Sequence, residues 1–236
     1  MQGSKRIYNK IKSVIKRNYI IRIIIIYIKN TFHEVKKYGL YNSLHGGYLY
    51  ENKGCCRFVK DIKGAGNIIV IEENTFVKKS VIRIRGNNNK LVFHKGVIIG
   101  EGCSFWMEGN NCKIEIGERT TVTRDNQFNC QEDNSNIIIG ANCMFSNNII
   151  VRTSDSHPIY DVLTNKRLNE AISVTIGNHV WIAPNTKIMK GANIGNGSII
   201  GSDTTISKDI PENSLAVGRP CRIVRSEIKW TREKLW

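Results

Sequence analysis

The chain lacks what a disulfide framework, a zinc site or a membrane span would need. Its seven cysteines are an odd number without paired spacing, and Cys55 and Cys56 are adjacent, which excludes a small disulfide-stapled scaffold. No Cys-x-x-Cys occurs and the five histidines are scattered, so no zinc-binding pattern is present and no metal is expected. The most apolar stretch, Ile20 to Ile28, is too short to cross a bilayer and carries Arg22. It also lacks the uncharged core and small-residue cleavage site of a secretory signal, so a reducing, cytoplasmic setting is expected.

Acids are scarce at one end. Residues 1–60 hold thirteen Lys or Arg against Glu34 and Glu51, a net of +11, whereas residues 61–236 carry a net of +4. Within the basic segment, Ile7, Ile11, Val14 and Ile15 form an apolar stripe between lysines, which predicts one long helix and a largely helical segment over 1–60. Two readings remain open for it. One is a helix packed on a neighbouring subunit; the other, over residues 4–37, is a helix lying on an anionic membrane surface at its inner face. No nucleic-acid motif accompanies the charge, so nucleic acid is not an expected partner.

What the chain does have is a beat. Ile176, Ile182, Ile188, Ile194, Ile200 and Ile206 fall six residues apart, a period that neither a helix nor a single strand produces. In each hexad the isoleucine points inward, position two is small (Gly177, Ala183, Gly195, Gly201) and position five is compact (Val180, Thr186, Ala192, Ser198, Thr204). Each unit reads as a short strand and a tight corner, three units close one triangular coil, and stacked coils bury an aliphatic column that no single unit could bury. Upstream the beat is stretched: Phe93, Ile99 and Phe105 recur as Ile116, Val122 and Phe128, then as Ile139, Phe145 and Val151, at an offset of 23 residues. The extra five residues are protrusions, GNNN from Gly86, GNNC from Gly109 and EDNS from Glu132, with GAGN from Gly64 as a weaker copy. Cys103 and Cys143 fall at position five and read as small packing residues. Between Val151 and Ile176 the beat breaks, and residues 152–175 must leave the wall as a loop, the usual place for chemistry on a rigid scaffold.

Over roughly residues 64–225 the chain resembles the hexapeptide-repeat acyltransferases, most specifically from Ile176 to Arg225. The resemblance implies an all-β, left-handed parallel β-helix; the handedness comes from the family and not from the spacing. It also implies a catalytic domain over 61–225 and a C-terminal tail over 226–236 with a short helix. In relatives such as the galactoside and maltose acetyltransferases and the polysialic acid O-acetyltransferases, the catalytic histidine lies 24 residues before the tryptophan of a VWI segment. His157 and Trp181 have that separation. The resemblance therefore makes His157 the base for acetyl transfer from acetyl-CoA to a sugar hydroxyl, since imidazole can take and return a proton near neutral pH. Trp181 then stands against the acetyl end of the donor or the acceptor ring. Asp155 and Asp161 are candidates to orient the imidazole, Asp155 ahead of Asp161, with a backbone carbonyl as the alternative.

Coenzyme A is expected along an outer groove between subunits of a homotrimer. There the pantetheine arm meets the main chain at Ala183, Pro184, Gly201 and Ser202, and the nucleotide phosphates meet Ser207, Lys208, Arg219, Arg222 and Arg225. Pro184 departs from the Gly or Ser of many relatives and removes an amide donor. Asn126, Asn129, Asn147 and Asn148 are candidate donors to the acceptor, although asparagine also suits a β-helix corner. His33, His45, His94 and His179 are read as noncatalytic, His179 as a solvated corner residue. The stretched coils resemble those of surface-polysaccharide O-acetyltransferases, and the resemblance implies a capsule or lipopolysaccharide sugar as acceptor, sialic acid being one candidate. The alternatives are an N-acetyltransferase on an amino sugar nucleotide and a noncatalytic trimeric scaffold.

Overall fold

The computed structural model describes residues 48–235. The expected basic helix, including residues 4–37, lies outside them, as do His33 and His45. Strands are numbered in chain order. The first face of the solenoid is a seven-stranded parallel sheet of Tyr48–Asn52 (β1), Asn67–Ile71 (β3), Lys90–Phe93 (β5), Lys113–Ile116 (β8), Asn136–Ile139 (β11), Val174–Ile176 (β14) and Asn193–Ile194 (β17). The second face stacks Ile98–Ile99 (β6), Thr121–Val122 (β9), Met144–Phe145 (β12), Trp181–Ile182 (β15), Ile199–Ile200 (β18) and Leu215–Val217 (β20). The third face stacks Cys55–Lys63 (β2), Phe76–Arg85 (β4), Ser104–Glu108 (β7), Gln127–Gln131 (β10), Ile150–Arg152 (β13), Lys187–Ile188 (β16) and Thr205–Ile206 (β19). The long β4 begins on the second face, where Phe76 and Val77 pair with Ile98 and Ile99, and ends on the third. The final strand, Arg222–Arg225 (β21), runs antiparallel to β20. The fold is a parallel β-helix.

The register follows the beat. Phe93, Ile116, Ile139, Ile176 and Ile194 are paired in succession down the first face, and Phe105, Phe128, Val151, Ile188 and Ile206 down the third. All are buried, because a six-residue unit returns the same side chain to the same inward position each time. In the upper coils phenylalanines fill the prism: Phe93 meets Phe105 edge-on at 4.9 Å between centroids, and Phe105 lies flat against Phe128 at 5.1 Å. Below Phe145 only smaller side chains fill it.

Small second positions have a steric cause. A Cβ on Gly195 would stand 2.3 Å from the Glu212 amide nitrogen, and one on Gly100 would stand 1.8 Å from the Thr123 carbonyl oxygen. The coils are too close there for any side chain. Elsewhere in the corners the backbone turns left-handed, at Asn88, Asn111, Asn142 and Asn148 among others, where asparagine tolerates positive φ.

Two expectations need correction. The solenoid begins earlier than residue 61: β1 and β2 pair with β3 and β4, so part of the segment assigned to the basic helix is coil wall. Alternating burial along Cys56, Phe58 and Lys60 is a strand pattern that overrides the local positive charge. The expected C-terminal helix is absent from residues 226–235. There Trp230 and Arg232 both reach the wall of the solenoid. Residues two apart share a side of an extended chain but face apart on a helix.

Candidate active site

The third corner, between the third and first faces, carries the loop of residues 153–173 in place of the short protrusions seen in earlier coils. Its root is fastened to the coil above. Thr153 Oγ1 accepts from the Gln131 amide at 2.9 Å and donates to the Gln131 carbonyl at 3.0 Å, while Ser154 Oγ donates to Glu132 and accepts from the Ser156 amide. From the far limb, Arg167 grips Glu132 with a two-pronged ion pair, Nη1 to Oε2 at 2.7 Å and Nη2 to Oε1 at 2.8 Å. That guanidinium holds the Glu132 carboxyl below its ordinary range, against the opposing effect of burial.

Asn169, only 6% exposed, ties the two limbs together. Its Nδ2 donates to the His157 carbonyl at 2.8 Å and to Asp155 Oδ2 at 3.1 Å, and its Oδ1 accepts from the Ile159 amide at 2.7 Å. Asp155 also pairs with Lys190 Nζ at 2.7 Å, and Lys190 followed by Asn169 holds its carboxyl below the usual range. The result fixes the main chain around His157 while its ring stays exposed and makes no hydrogen bond among the described residues. Neither aspartate is bonded to that ring: Asp155 faces Lys190 and Asn169, and Asp161 caps its own turn by accepting from the Leu163 and Thr164 amides and the Thr164 hydroxyl.

Trp181 stands on the second face in an outward file with Ile98, Thr121, Met144, Ile199 and Leu215, and is 36% exposed. Ala183, Pro184, Gly201 and Ser202 share the second corner, beside it. The amides of Ala183 and Gly201 donate to Ile200 and Ala216, and the Pro184 carbonyl accepts from Asp203. These ladder bonds leave the Ser202 amide as the open main-chain donor among the four. Arg219 lies on the same edge, bonded to the Asp203 carbonyl. Ser207 and Lys208 are instead at the third corner, and Arg222 and Arg225 are on exposed β21.

The asparagines divide too. Asn126 is wholly buried at position five of its hexad, its amide spent on the Ser146 carbonyl and the Ile149 amide, so it is unavailable to an acceptor. Asn148 bonds Asn185 in an exposed corner ladder, and Asn147 accepts from Ser146. Asn129 is half-buried on the third face, in an outward file with Arg83, Trp106 and Arg152. His179 is half-buried and not a freely solvated corner residue: Trp230 lies flat on its ring, 4.0 Å between centroids. His94 bonds Glu72 and Glu115 through its two ring nitrogens. Sequence reasoning missed Asn169, Arg167, Lys190 and Trp230, whose partners are distant in sequence and leave no periodic trace. Among the described residues no cluster of His, Cys, Asp or Glu could hold a metal ion.

Residues 173–208 match the family model described as bacterial transferase hexapeptide (six repeats). The chain is 36% identical over 120 residues to the polysialic acid O-acetyltransferase of Escherichia coli O1:K1 / APEC, covering 51% of this chain and 38% of that one. It is 34% identical over 129 residues to the polysialic acid O-acetyltransferase of Neisseria meningitidis, covering 54% and 58%. The chain thus spans less than two thirds of the length of either relative. The crystal structure of the polysialic acid O-acetyltransferase OatWY superimposes with a TM-score of 0.61 at 28% identity, over 79% of this chain and 92% of that one. That of the polySia specific acetyltransferase NeuO gives 0.56 at 28%, over 81% and 92%.

Proposed function

We propose that this hexapeptide-repeat protein is a sugar O-acetyltransferase that moves the acetyl group of acetyl-CoA to a hydroxyl of a bacterial surface-polysaccharide sugar, with sialic acid as the leading acceptor. The observation that carries the reading is the His157 loop. Its main chain is pinned by Asn169 while its imidazole is left open, as a base must be to reach a substrate hydroxyl. The acceptor class rests on similarity to the two polysialic acid O-acetyltransferases. The file of Arg83, Trp106, Asn129 and Arg152, which ends at the loop root, offers cations and an indole suited to an acidic saccharide.

In the reaction, His157 takes the hydroxyl proton as that oxygen attacks the thioester carbonyl. The new C–O bond forms, the C–S bond breaks, and the imidazolium returns the proton to the departing thiolate, leaving an O-acetyl sugar and free coenzyme A. Asp155, already paired with Lys190, steadies the loop and is not a second base. Within one chain the loop leaves the third corner, whereas Trp181 and the donor edge occupy the second face and second corner. The reading therefore calls for a complementary copy, and a closed homotrimer is the symmetric solution. The basic segment over 4–37 would hold that trimer on the anionic inner face of the membrane, where surface polysaccharide is made.

The test is mass spectrometry of the full-length protein with acetyl-CoA and a panel of sialic acid oligomers, nucleotide sugars and free sugars. His157→Ala should reduce transfer by about two to four orders of magnitude while acetyl-CoA affinity persists. Wild-type turnover in that variant, or acetylation of an amino group alone, overturns the reading.

A further inference from the structure

After β21 the chain turns back and climbs the first corner, the edge between the first and second faces. The Ile228 amide donates to the Asn213 carbonyl at 2.9 Å. Two residues on, Trp230 Nε1 donates to the His179 carbonyl at 2.9 Å, and the His179 ring nitrogen Nε2 lies 3.0 Å from the Trp230 carbonyl. A carbonyl can only accept, so Nε2 carries the proton. The two rings are parallel within 3°. Two residues further, Arg232 bonds the carbonyls of Cys143 and Asn142 at 2.6 and 3.1 Å and the Thr121 hydroxyl at 3.0 Å. The tail is therefore clamped at three levels.

Trp230 is 8% exposed, so it is not itself a binding surface. Its other neighbour is Trp181, whose ring centroid is 5.9 Å away with the planes tilted by 49°. Trp181 follows His179 by two residues, and the chain between them holds a left-handed turn at His179. One flank of Trp181 is thus backed by an indole that hydrogen bonds and stacking have fixed, and the other faces solvent. Trp181 projects from the two-residue strand β15 between Met144 and Ile199 of the adjacent coils, and the Trp230 indole adds a further wall that restricts its rotamers.

We infer that Trp230 is a positioning residue for the proposed transfer: the C-terminal tail holds the Trp181 indole in the single orientation the reacting groups require. The inference rests on Trp181 lining the site in the proposed function. Its physical content is pre-organisation, since a displacement of about 1 Å at a reacting centre can lower a rate on the order of a hundredfold.

The experiment is a double-mutant cycle on the full-length protein, with acetyl-CoA and a sialic acid oligomer as substrates, alongside thermal unfolding. Trp230→Ala should lower kcat by about ten- to a hundredfold with a smaller change in the KM for acetyl-CoA. On a Trp181→Ala background the same change should have little further effect, because the residue it acts through is gone. Trp230→Phe keeps the stacked ring and should restore most of the turnover. In a protein with Trp106→Phe, Trp230→Phe and Trp236→Phe, Trp181 fluorescence should be more anisotropic than after Trp230→Ala in the same background. Loss from Trp230→Ala that persists undiminished on the Trp181→Ala background overturns the inference, as does an unchanged kcat in Trp230→Ala when Trp181→Ala is crippled. If Trp181→Ala itself keeps full turnover, the role given to Trp181 in the proposed function fails first, and the positioning role falls with it.

Discussion

Removing the Asn169 side chain tests how the His157 loop is held. Asn169→Ala deletes two donated hydrogen bonds, to the His157 carbonyl and Asp155, and two accepted ones, a short bond from the Ile159 amide and a longer one of 3.4 Å from Arg167 Nε. At a net contribution of about 0.5–1.5 kcal/mol each, the closed loop should lose on the order of 2–4 kcal/mol relative to open conformations. The loss is local, because every side-chain bond of Asn169 is made within the loop, to Asp155, His157, Ile159 and Arg167, so the thermal midpoint should move little. If turnover follows the closed population, a loss of that size lowers kcat by up to about thirty- to several-hundredfold at roughly 1.4 kcal/mol per tenfold. Asn169→Asp should be more damaging although it is the same size. It would place a second carboxylate where Nδ2 now stands, 3.1 Å from Asp155 and 2.8 Å from a carbonyl oxygen. The assay pairs steady-state acetyl transfer with amide hydrogen exchange across residues 155–159. Faster exchange in both variants with wild-type kcat would show that loop order is irrelevant to the reaction.

Phe105→Ala should destabilise the upper coils by about 3–5 kcal/mol in urea unfolding, since it removes a fully buried ring between Phe93 and Phe128; a loss below 1 kcal/mol would mean the column collapses around the gap. Burial works to lower the His94 pKa, but bonds to Glu115 and Glu72 outweigh it and raise it above about 6.5. His94 therefore adds stability that is fully present below about pH 6.5 and fades as pH rises through the raised value, so the wild type should lose its advantage over His94→Gln on going from pH 5 to 9. Equal advantages at both ends of that range would refute the charge linkage. Burial raises the Cys143 thiol to about 11, and at pH 8 a thiol reagent should modify it only at the rate of unfolding. Rapid native-state labelling, located by peptide mapping, would show that the coil opens locally.

The solenoid is legible because each inward position is repeated: the isoleucine beat fixes both the strand and its partner one coil away, as the Ile176–Ile194 and Ile188–Ile206 pairs show. The same rule was available for Asn126. It lies 23 residues after Cys103, in the slot reserved for compact buried residues, and that register outweighs the general preference of asparagine for exposed corners. Periodicity is silent about anything outside the repeat. His157 is singled out in the sequence by a separation from Trp181 that matches the resembling enzymes, but Asn169, which pins its main chain, sits in an insertion with no register. The contact between His179 and Trp230 spans 51 residues and joins a corner to a tail of irregular backbone. The C-terminal helix comes from the resemblance alone, and a stacked indole and a guanidinium bonded to several acceptors hold the tail extended instead.

The third corner is where this chain is free to change length. Protrusions at Gly86, Gly109 and Glu132 and the loop of residues 153–173 all leave the wall at the same edge, while inward pairs above and below, from Phe105 to Ile206, keep their alignment. Closing a longer excursion is entropically cheap, about 0.6 kcal/mol for each doubling in length, and no buried contact has to shift to accommodate it. The edge therefore works as a row of sockets in which one coil can receive a new loop without retuning its neighbours. Under the proposed function, acceptor preference can diversify by replacing what stands in that row, with the spine of phenylalanine and isoleucine left as it is.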